Sequence, residues 1–431
     1  MTHNYNAPLE KLDEYTKQYH DLFKDARLRK GFDSAIIGIL GSGSTKVSQI
    51  ARLAPQTSQT KYSEKRIRRL IRQENQRAPS NPKDFTNRFL ELGAKKLAGQ
   101  HDVRVILDGS DLRKPYSSKL EHLSTVRALD GDLIPGYQTL NAVGISSSGL
   151  QALLYQHTYS PLEPEYKSDN DQVRKAILKI HRALRATGVL RITWILDRGF
   201  DDLKVIELLL ELGDCFIIRA QHNRNVTSKL GSEHQKLFAL LDKQDVLGTM
   251  QLKRPSVEKN KSIMRLATGQ VRACHCFLGG RVPIHAVSIE FPRAKGDEIG
   301  WVLLTNLPIN ELEQVRQIIA LYASRWAIEE VFAWTKTALD WEAVQMLDLE
   351  AVRVLVAYAF ICAAFIFDLE LSLEPRVIAF LAHLGGWVER KGSKPGRRVL
   401  CLGLQRFLAG LLVQHSLHRF LAQDPVKDTV N

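Results

Sequence analysis

Cysteine is scarce in this chain of 431 residues. The five cysteines stand at scattered positions, Cys215, Cys274, Cys276, Cys362 and Cys401. Because their number is odd and their spacing irregular, we expect free thiols in a reducing compartment rather than a disulfide framework. Cys274 and Cys276 flank a histidine, but no second pair stands at the spacing of a zinc finger, so we expect no zinc site there.

Long hydrophobic runs are also missing. The most apolar stretch, residues 354–367, is fourteen residues long and lies between Arg353 and Asp368. A helix needs roughly twenty apolar residues to cross a bilayer, so this stretch predicts a buried helix and no membrane span. The first eighteen residues contain no apolar segment, which predicts the absence of a signal peptide and favours a cytoplasmic location.

Positive charge, in contrast, is in excess. Lysine and arginine total 60 against 47 aspartate and glutamate residues, which gives a formal net charge of +13. Such an excess indicates a polyanionic partner, either nucleic acid or an anionic membrane surface. The basic residues are spread over several segments instead of one amphipathic helix, which favours nucleic acid. The length and the hydrophobic share of 44% predict a globular protein of two or three domains.

Residues 1–78 predict a helical DNA-binding domain. After a break at residues 41–44 we expect a short helix at 47–53 and a second helix from an N-cap at Ser63 to Gln76. Residues 61–77 carry seven basic and two acidic residues. A helix, a turn and a basic helix are typical of a unit that reads DNA, although a solvated charged face has the same composition. The residues predicted to contact DNA here are Lys65, Arg66 and Arg69.

Residues 79–220 alternate between the patterns of strands and helices. After a helix at 83–97, apolar runs predict strands at 103–107, 123–129, 139–145, 150–158, 189–196 and 215–220, with helices at 170–186 and 201–212. Strands that lead into helices predict a mixed α/β sheet whose functional groups lie at the carboxyl ends of its strands.

Residues 221–300 interrupt this alternation. Short β-like runs at 246–252, 262–267, 271–278 and 284–289 predict a β-rich insertion. The insertion is basic, since residues 251–295 contain nine lysines and arginines against two glutamates. The core pattern resumes over 301–345, with a strand at 301–305 and one long helix at 310–340, and residues 346–431 are predicted to be mostly helical.

Three carboxylates stand where such a sheet places functional groups. Asp108 follows the predicted strand 103–107, Asp197 ends the predicted strand 189–196, and Glu329 lies on the helix at 310–340. Acidic residues at strand ends also serve as helix caps, but two of them beside buried strands suggest a purpose. Carboxylates suit Mg²⁺ or Mn²⁺, and a pair of such ions supports phosphoryl transfer. Asp111 is the alternative to Asp108, although its position is more typical of a turn.

Four side chains form a stripe on the predicted helix. Tyr322, Arg325, Glu329 and Lys336 stand at i, i+3, i+7 and i+14, which places them on one helical face. A solvated face with an Arg325–Glu329 ion pair explains part of this pattern. The functional interpretation assigns Glu329 to the metal ions and the other three side chains to the phosphates of a bound nucleic acid.

These residues carry a resemblance to a known family. The spacing Tyr322-x2-Arg325-x3-Glu329-x6-Lys336 matches the Y-R-E-K signature of bacterial insertion-sequence transposases with the DDE catalytic triad. The segment 197–200, Asp-Arg-Gly-Phe, resembles the family's D-R-G-[YF] element at the second catalytic aspartate, and residues 303–308 resemble the stretch before its glutamate helix. The resemblance covers about residues 100–345 and, more loosely, 385–410.

The resemblance implies a fold and a reaction. We expect a ribonuclease H-like core, a mixed sheet flanked by helices, over residues 79–220 and 301–345. The β-rich insertion interrupts this core, the helical DNA-binding domain precedes it, and a helical C-terminal region follows. The expected enzyme cleaves and transfers strands at transposon ends, with two Mg²⁺ (or Mn²⁺) ions held by Asp108, Asp197 and Glu329.

The resemblance also implies partners and DNA contacts. The expected partner is double-stranded DNA, from transposon ends and target, bound by a homodimer associated with the bacterial nucleoid and not with a membrane. Contacts to the phosphates are expected from Tyr322, Arg325, Lys336 and Arg198. Trp301 is either a core residue or an aromatic platform for an extruded base.

Two other functions remain open from the sequence. One is a ribonuclease H-like nuclease that cuts DNA without joining it, which the Tyr, Arg and Lys companions of Glu329 disfavour. The other is a DNA-binding regulator derived from a transposase with an inactive site, which the presence of all three carboxylates disfavours.

Overall fold

The computed structural model describes residue 4 and residues 6–53, 60–71, 81–127, 131–258, 261–293, 296–389 and 393–422. The predicted end of the basic helix at Gln76 lies outside these residues. The described part is a mixed α/β structure, as the sequence predicts, with helices packed on both faces of a large sheet.

The strands form one mixed sheet. Within the described residues it runs in the order β2-β3-β1-β5-β6-β12-β11-β10-β7-β8, with β4 paired to β3 and β9 paired to β10. The pairs β1–β5 and β5–β6 are parallel and the others antiparallel. The strands are β1 Asp102–Arg113, β2 Ser124–Arg127, β3 Leu133–Ser146, β4 Gln151–Tyr159, β5 Arg191–Leu196, β6 Cys215–Arg219, β7 Asn225–Thr227, β8 Gln235–Lys236, β9 Gly248–Glu258, β10 Lys261–Leu278, β11 Val282–Arg293 and β12 Gly296–Thr305.

The helices come before, between and after these strands. They are α1 Ala7–Lys17, α2 Ala26–Ser42, α3 Val47–Leu53, α4 Thr60–Ile71, α5 Pro82–Lys96, α6 Asp169–Ala186, α7 Leu203–Glu211, α8 Leu237–Asp242, α9 Leu312–Ala323, α10 Trp326–Ala338, α11 Leu349–Ser372, α12 Pro375–Leu384 and α13 Arg397–Ala422.

The N-terminal helices largely follow their sequence signals. Asp25 caps the N-terminus of α2, where its carboxylate accepts the amides of Arg27 and Leu28, and Gly43 caps the C-terminus. Gly43 has φ of 62°, which glycine adopts without strain, and this explains the predicted break. The prediction of Ser63 as an N-cap is wrong, because α4 already begins at Thr60 and Ser63 is buried inside it.

Strand β1 is longer than predicted. Its parallel pairing with β5 ends at the pair Leu107 and Leu196, where the sequence predicts the strand to stop. Antiparallel pairing with β3 continues to Arg113, so residues 108–113 remain in the sheet. The prediction that Asp108 follows a strand is therefore wrong. Asp108 lies within β1, at the point where one of its two neighbouring strands ends.

The strands of residues 221–300 extend the same sheet. Strand β12 pairs with β6 through Leu303 to Thr305, and β11, β10 and β9 follow outward as antiparallel neighbours. The separate runs predicted at 262–267 and 271–278 are parts of the single strand β10, because β9 and β11 pair along its two halves. Strand β12 also begins five residues before the predicted Trp301, since its first residues pair with β11 beyond a bulge at Ile289.

The single helix predicted at 310–340 is interrupted. Helix α9 ends at Ala323 and α10 begins at Trp326. Between them the amides of Arg325 and Ala327 bond to carbonyls three residues back, which is the tighter 3₁₀ pattern. Arg325 itself keeps helical dihedral angles, φ −54° and ψ −27°.

The C-terminal helix α11 joins the N-terminal helices in one core. It is the one described helix long and apolar enough to span a membrane, yet 83% of its most apolar 18-residue stretch is buried inside the protein. The sequence prediction of a buried helix at residues 354–367 is thereby confirmed. On α11, Tyr358 meets the rings of Phe32 and Phe85 edge-on, with centroids 5.2 and 5.1 Å away. Helices α2, α5 and α11 therefore bury their aromatic side chains together.

Candidate active site

The sheet register places two aspartates side by side. The last parallel pair of β1 and β5 joins Leu107 to Leu196. The next residue of each strand segment is an aspartate, so Asp108 and Asp197 lie at neighbouring positions. Their side chains are only 16% and 26% exposed. Two carboxylates at neighbouring strand positions repel each other unless a cation lies between them.

Arg325 supplies positive charge between the acidic groups. Its Nη1 donates to Asp108 Oδ2 at 2.8 Å, and its Nη2 donates to Glu329 Oε1 at 2.5 Å. The Arg325 side chain is only 12% exposed, whereas the Glu329 side chain is 48% exposed. Arg325 lies at the N-terminal end of α10 and Glu329 lies in the first turn of that helix. This end of α10 therefore contributes both residues to the site of the strand aspartates.

The two aspartates differ in their acidity. Burial raises the pKa of Asp108 to about 6, and the negative charges of Asp197 and Glu329 act in the same direction against Arg325. Burial also opposes ionisation of Asp197, but the Arg198 amide, Arg325, the Tyr322 hydroxyl and Arg219 outweigh it and lower the pKa of Asp197. The ionised form of Asp108 is therefore less well stabilised by nearby positive charge than that of Asp197.

Tyr322 and Trp301 form a wall beside Asp197. The Tyr322 hydroxyl donates to Asp197 Oδ1 at 2.8 Å, and burial together with Asp197 raises the pKa of Tyr322. The Trp301 ring meets the Tyr322 ring edge-on at 4.9 Å between centroids and is half-buried. Tyr322, which is buried, thus contacts the aspartate directly and orients it.

Lys336 lies apart from the three carboxylates. Its Nζ is 3.1 Å from Asp111 Oδ1 and 3.3 Å from Glu342 Oε1. Asp111 also accepts from Arg113 Nε at 2.5 Å. The prediction of Asp111 as a turn residue is wrong, because it lies in β1 opposite Gln138 and takes part in this ion-pair network.

The remaining predicted DNA contacts, Arg198 beside Asp197 and three residues on α4, are exposed. Arg198 directly follows Asp197 and is exposed. Lys65, Arg66 and Arg69 lie on the exposed face of α4, whose other face buries Ile67, Leu70 and Ile71 in the core. The structure therefore brings the carboxylates, Arg325 and Tyr322 together and leaves the basic face of α4 as a separate surface.

Two residues near the site, Asn141 and Asp201, are not predicted from the sequence. Asn141 on β3 is the antiparallel partner of Asp108 on β1, and it is 2% exposed. Its Oδ1 has no hydrogen-bond partner among the described residues. Its Nδ2 donates to Thr139 Oγ1 at 3.0 Å. The signal for Asn141 was present, since it is an amide inside the apolar strand 139–145, but its partner is defined only by the sheet register.

Asp201 fixes the loop that follows Asp197. Its buried carboxylate accepts the Gln221 amide at 2.9 Å and Arg224 Nε at 3.0 Å. These bonds tie the turn after β5 to the segment after β6, so they hold the backbone next to Asp197. The sequence placed Asp201 in a helix and gave no indication of this role.

The chemistry of the donors fits a divalent cation. Among the described residues no three acidic, histidine or cysteine side chains form a ready-made metal cage, because Arg325 lies between the carboxylates. The oxygen donors are nevertheless hard, and the unpartnered Asn141 Oδ1 lies beside the buried Asp108. Arg325 Nε is also buried and has no partner in the part of the chain that the structure describes, which leaves a donor for an incoming oxygen.

An open groove gives access to Glu329. Its volume is about 680 Å³, and its lining includes Arg104, Glu330 and Trp326, whose ring is 44% exposed. Of the three carboxylates only Glu329 lines this groove, so a ligand in it can reach Glu329 from outside.

Known proteins are similar to this chain. The sequence model described as the transposase DDE domain matches residues 100–365. The structure of piggyBac transposase in a synaptic complex with hairpin DNA has a TM-score of 0.39 and 13% identity over 75% of this chain and 55% of that chain. This chain thus spans just over half the length of the piggyBac chain. The Drosophila P element transposase in a strand transfer complex has a TM-score of 0.17 and 9% identity over 95% of this chain and 87% of that chain.

The matched segment contains the whole carboxylate cluster. Asp108, Asp197 and Glu329, together with Arg325 and Tyr322, all lie within residues 100–365. Because that match covers well over half of the sequence, the chain belongs to the transposase DDE domain family.

Proposed function

We propose that this protein is the transposase of a bacterial insertion sequence, which binds the ends of its element, cleaves DNA strands there and transfers them to target DNA. The observation that carries the proposal is the convergence of Asp108 and Glu329 on Arg325, with Asp197 at the neighbouring strand position. Membership of the transposase DDE domain family supports the same reaction class.

The fold assignment belongs to the same proposal. The parallel order β1-β5-β6, with antiparallel β3 beside β1, supports a ribonuclease H-like core over residues 79–220 and 301–345. In this arrangement residues 221–300 are an insertion whose strands lengthen the sheet. Residues 1–78 form the DNA-binding domain, and residues 346–431 form the helical C-terminal region.

Asp108, Asp197 and Glu329 are the residues that would hold divalent cations, two Mg²⁺ or Mn²⁺ ions in each site. When bound, such ions supply an activated water and stabilise the oxygen that leaves phosphorus in an in-line displacement. The reaction we propose is hydrolysis at the element's end, which frees a 3′-OH, followed by attack of that 3′-OH on another phosphodiester.

The surrounding side chains prepare this reaction. Arg325 balances the carboxylate charge, and its unpartnered Nε and forked geometry suit a phosphate oxygen. Tyr322 orients Asp197 through its hydroxyl. Arg198, exposed beside Asp197, and Lys336 are proposed to contact DNA phosphates, with Lys336 exchanging its bonds to Asp111 and Glu342 for them.

Recognition of the element's ends is proposed for the N-terminal helices. Lys65, Arg66 and Arg69 point away from the core on α4, where backbone phosphates can approach them. We propose that two copies act together on paired DNA ends, in the nucleoid of a bacterial cell.

The test uses DNA that flanks the gene. A plasmid carrying both flanks is incubated with the full chain and Mg²⁺, and strand breaks are mapped by primer extension. Breaks with a 3′-OH at the element boundary, followed by covalent joining to a second plasmid, are the expected result. Breaks without joining would instead identify the nuclease, and binding without breaks in Mg²⁺ or Mn²⁺ would identify the inactive regulator.

A further inference from the structure

A second cavity lies at the edge of the sheet, away from the carboxylates. It borders β4 and the N-terminal ends of α5 and α11, and its volume is about 840 Å³. None of Asp108, Asp197 and Glu329 lines it. Its size falls within the range of cavities that hold small organic ligands.

One side of this cavity is a ladder of aromatic rings. His157 stacks on Tyr159 with centroids 5.8 Å apart, and Tyr159 stacks on Tyr166 at 6.2 Å, each pair within 13° of parallel. The Tyr159 and Tyr166 hydroxyls both donate to Asp169 Oδ1, at 3.1 and 2.9 Å, which fixes the two rings relative to each other. Tyr166 is half-buried and forms the outer end of the ladder. Pre-ordered parallel rings suit a flat aromatic ligand.

Lysines border the same cavity. Lys83 on α5 and Lys175 and Lys179 on α6 line it, and within the described residues neither Lys83 nor Lys179 has an acidic partner. Desolvation and the positive charges of Lys83 and Lys175 lower the pKa of Lys179. Lysines that repel one another at a cavity rim are stabilised by an anion that bridges them.

Four glutamates also line the cavity, and within the described residues none of them forms an ion pair with Lys83 or Lys179. Glu163 and Glu350 are both paired with Arg353, whose Nη2 lies 2.6 Å from Glu163 Oε2. Glu121 accepts the amide of Leu349 at 2.9 Å, and Glu165 is exposed. The lysine rim therefore remains available, next to rings that accept a planar group.

We propose that this cavity is a binding site for an unpaired nucleotide, whose base stacks on the tyrosine ladder and whose phosphate is held by Lys83 and Lys179. A planar base joined to an anion matches both halves of the cavity, whereas an acidic peptide matches only the lysines. The nucleotide is either part of a single DNA strand or a free monophosphate. This site does not depend on the reaction proposed for the carboxylates.

The first test measures single-strand binding by the full chain. A fluorescein-labelled ten-residue oligothymidylate is titrated in EDTA, so that cleavage plays no part, and anisotropy is followed at several salt concentrations. For Lys83→Gln with Lys179→Gln we expect the log–log salt slope to fall by about 0.7, which is roughly the contribution of one neutralised phosphate on a single strand. Lys95→Gln with Lys204→Gln is the matched control, because both lysines are exposed and lie outside the cavity.

The second test addresses the rings. Tyr166→Leu is expected to weaken binding roughly 5- to 150-fold, which is the loss of one base–aromatic stack. Tyr166→Phe keeps the ring and should bind nearly as tightly as the unaltered chain. Circular dichroism and thermal unfolding establish that each variant is folded.

Photocrosslinking distinguishes the two sources of the nucleotide. An oligonucleotide with one 5-iododeoxyuridine should form an adduct at Tyr159 or Tyr166, which mass spectrometry locates. Adducts at these tyrosines identify a DNA strand as the ligand. If no adduct forms but thymidine monophosphate protects the tyrosines from chemical modification, the ligand is the free nucleotide. The proposal is overturned if neither adduct nor protection is seen and if the double lysine variant and Tyr166→Leu bind the oligonucleotide as tightly as the unaltered chain.

Discussion

Arg325 Nη1 lies 2.8 Å from Asp108 Oδ2, although the two residues are 217 positions apart in the sequence. The same guanidinium contacts Glu329 one helical turn further along the chain. One buried cation thus balances carboxylates from a central strand and from a helix. If a divalent cation were held by these carboxylates, Arg325 would be available to a phosphate oxygen of the proposed substrate.

The first prediction concerns this double contact. In Arg325→Lys a single ammonium replaces the fork and cannot hold both partners in the same geometry, so we expect strand cleavage to fall at least about 100-fold. Binding of end DNA should weaken much less than cleavage, because Arg325 is only one of several proposed phosphate contacts. Cleavage rates in Mg²⁺ and a gel-shift titration measure the two effects separately. Equal losses of binding and cleavage would contradict the assignment.

The three carboxylates should be required for chemistry but not for DNA binding. We expect Asp108→Ala, Asp197→Ala and Glu329→Ala each to abolish Mg²⁺-dependent nicking while the gel shift with end DNA persists, because their proposed task is to hold cations. The control Asp242→Asn removes an exposed carboxylate at the end of α8 and should nick normally. Nicking by Asp108→Ala at a substantial rate would transfer the first ligand role to Asp111.

End recognition should depend on the exposed face of α4. Deleting residues 1–78 is a poor test, because Phe32 packs against Tyr358 and its loss would expose α11. The triple variant of Lys65→Gln, Arg66→Gln and Arg69→Gln keeps the core and should reduce the log–log salt slope on duplex DNA by up to about 2.7, roughly 0.9 for each lost phosphate contact. The control pair Lys11→Gln and Lys17→Gln on α1 should leave that slope unchanged. Unaltered selection of the element's ends by the triple variant would disprove the assignment.

Trp301 should act after the first strand is cut. Its half-buried ring beside Tyr322 lies near Asp197, where an extruded base can stack on it with roughly 1–3 kcal/mol. Trp301→Ala should therefore nick the first strand almost normally and stall before a hairpin end forms, and Trp301→Phe should recover part of that step. Denaturing gels resolve nicked and hairpin products. Loss of soluble protein, or equal slowing of both steps, would identify Trp301 as a core residue.

Stability should fall on acidification because of His157. Burial, together with the nearby charges of Arg353 and Lys179, lowers the pKa of His157 to about 3. The unfolded chain binds a proton at this residue below pH 6.5 and the folded chain does not, so stability is lost as pH falls from 6.5 towards 3. His157→Gln should remove about 1–2 kcal/mol of the loss between pH 7.5 and 5, measured by urea unfolding. His101→Gln, at an exposed histidine, should retain the full loss.

Local patterns located the elements well, because apolar periodicity and caps act within a few residues. The sequence alone therefore predicted helix α3 at its observed bounds, the buried α11, the position of Asp197 at the end of a strand, and a helical position for Glu329. The length of β1 was not predictable in this way. Residues 108–113 contain three charged side chains and no strand pattern, and they stay extended because β3 pairs with them.

The arrangement of the site depends on contacts that no local pattern encodes. The break at Arg325 interrupts a strongly helical sequence while its side chain bridges Asp108 and Glu329. The role of Asn141 follows from its register opposite Asp108, and that of Asp201 from the return of the chain after β6. Pairing between distant segments decided each of these features.

The aromatic contact between Phe32 and Tyr358 has a consequence for synthesis on the ribosome. The two rings are separated by more than three hundred residues, and a ribosome adds roughly 5–20 residues per second. Helix α2 therefore waits on the order of 15–65 s before α11 emerges to cover it, with its apolar face exposed to the cell throughout. The N-terminal helices therefore complete their packing only after α11 has been synthesised, and until then the growing chain exposes apolar surface that proteases can reach.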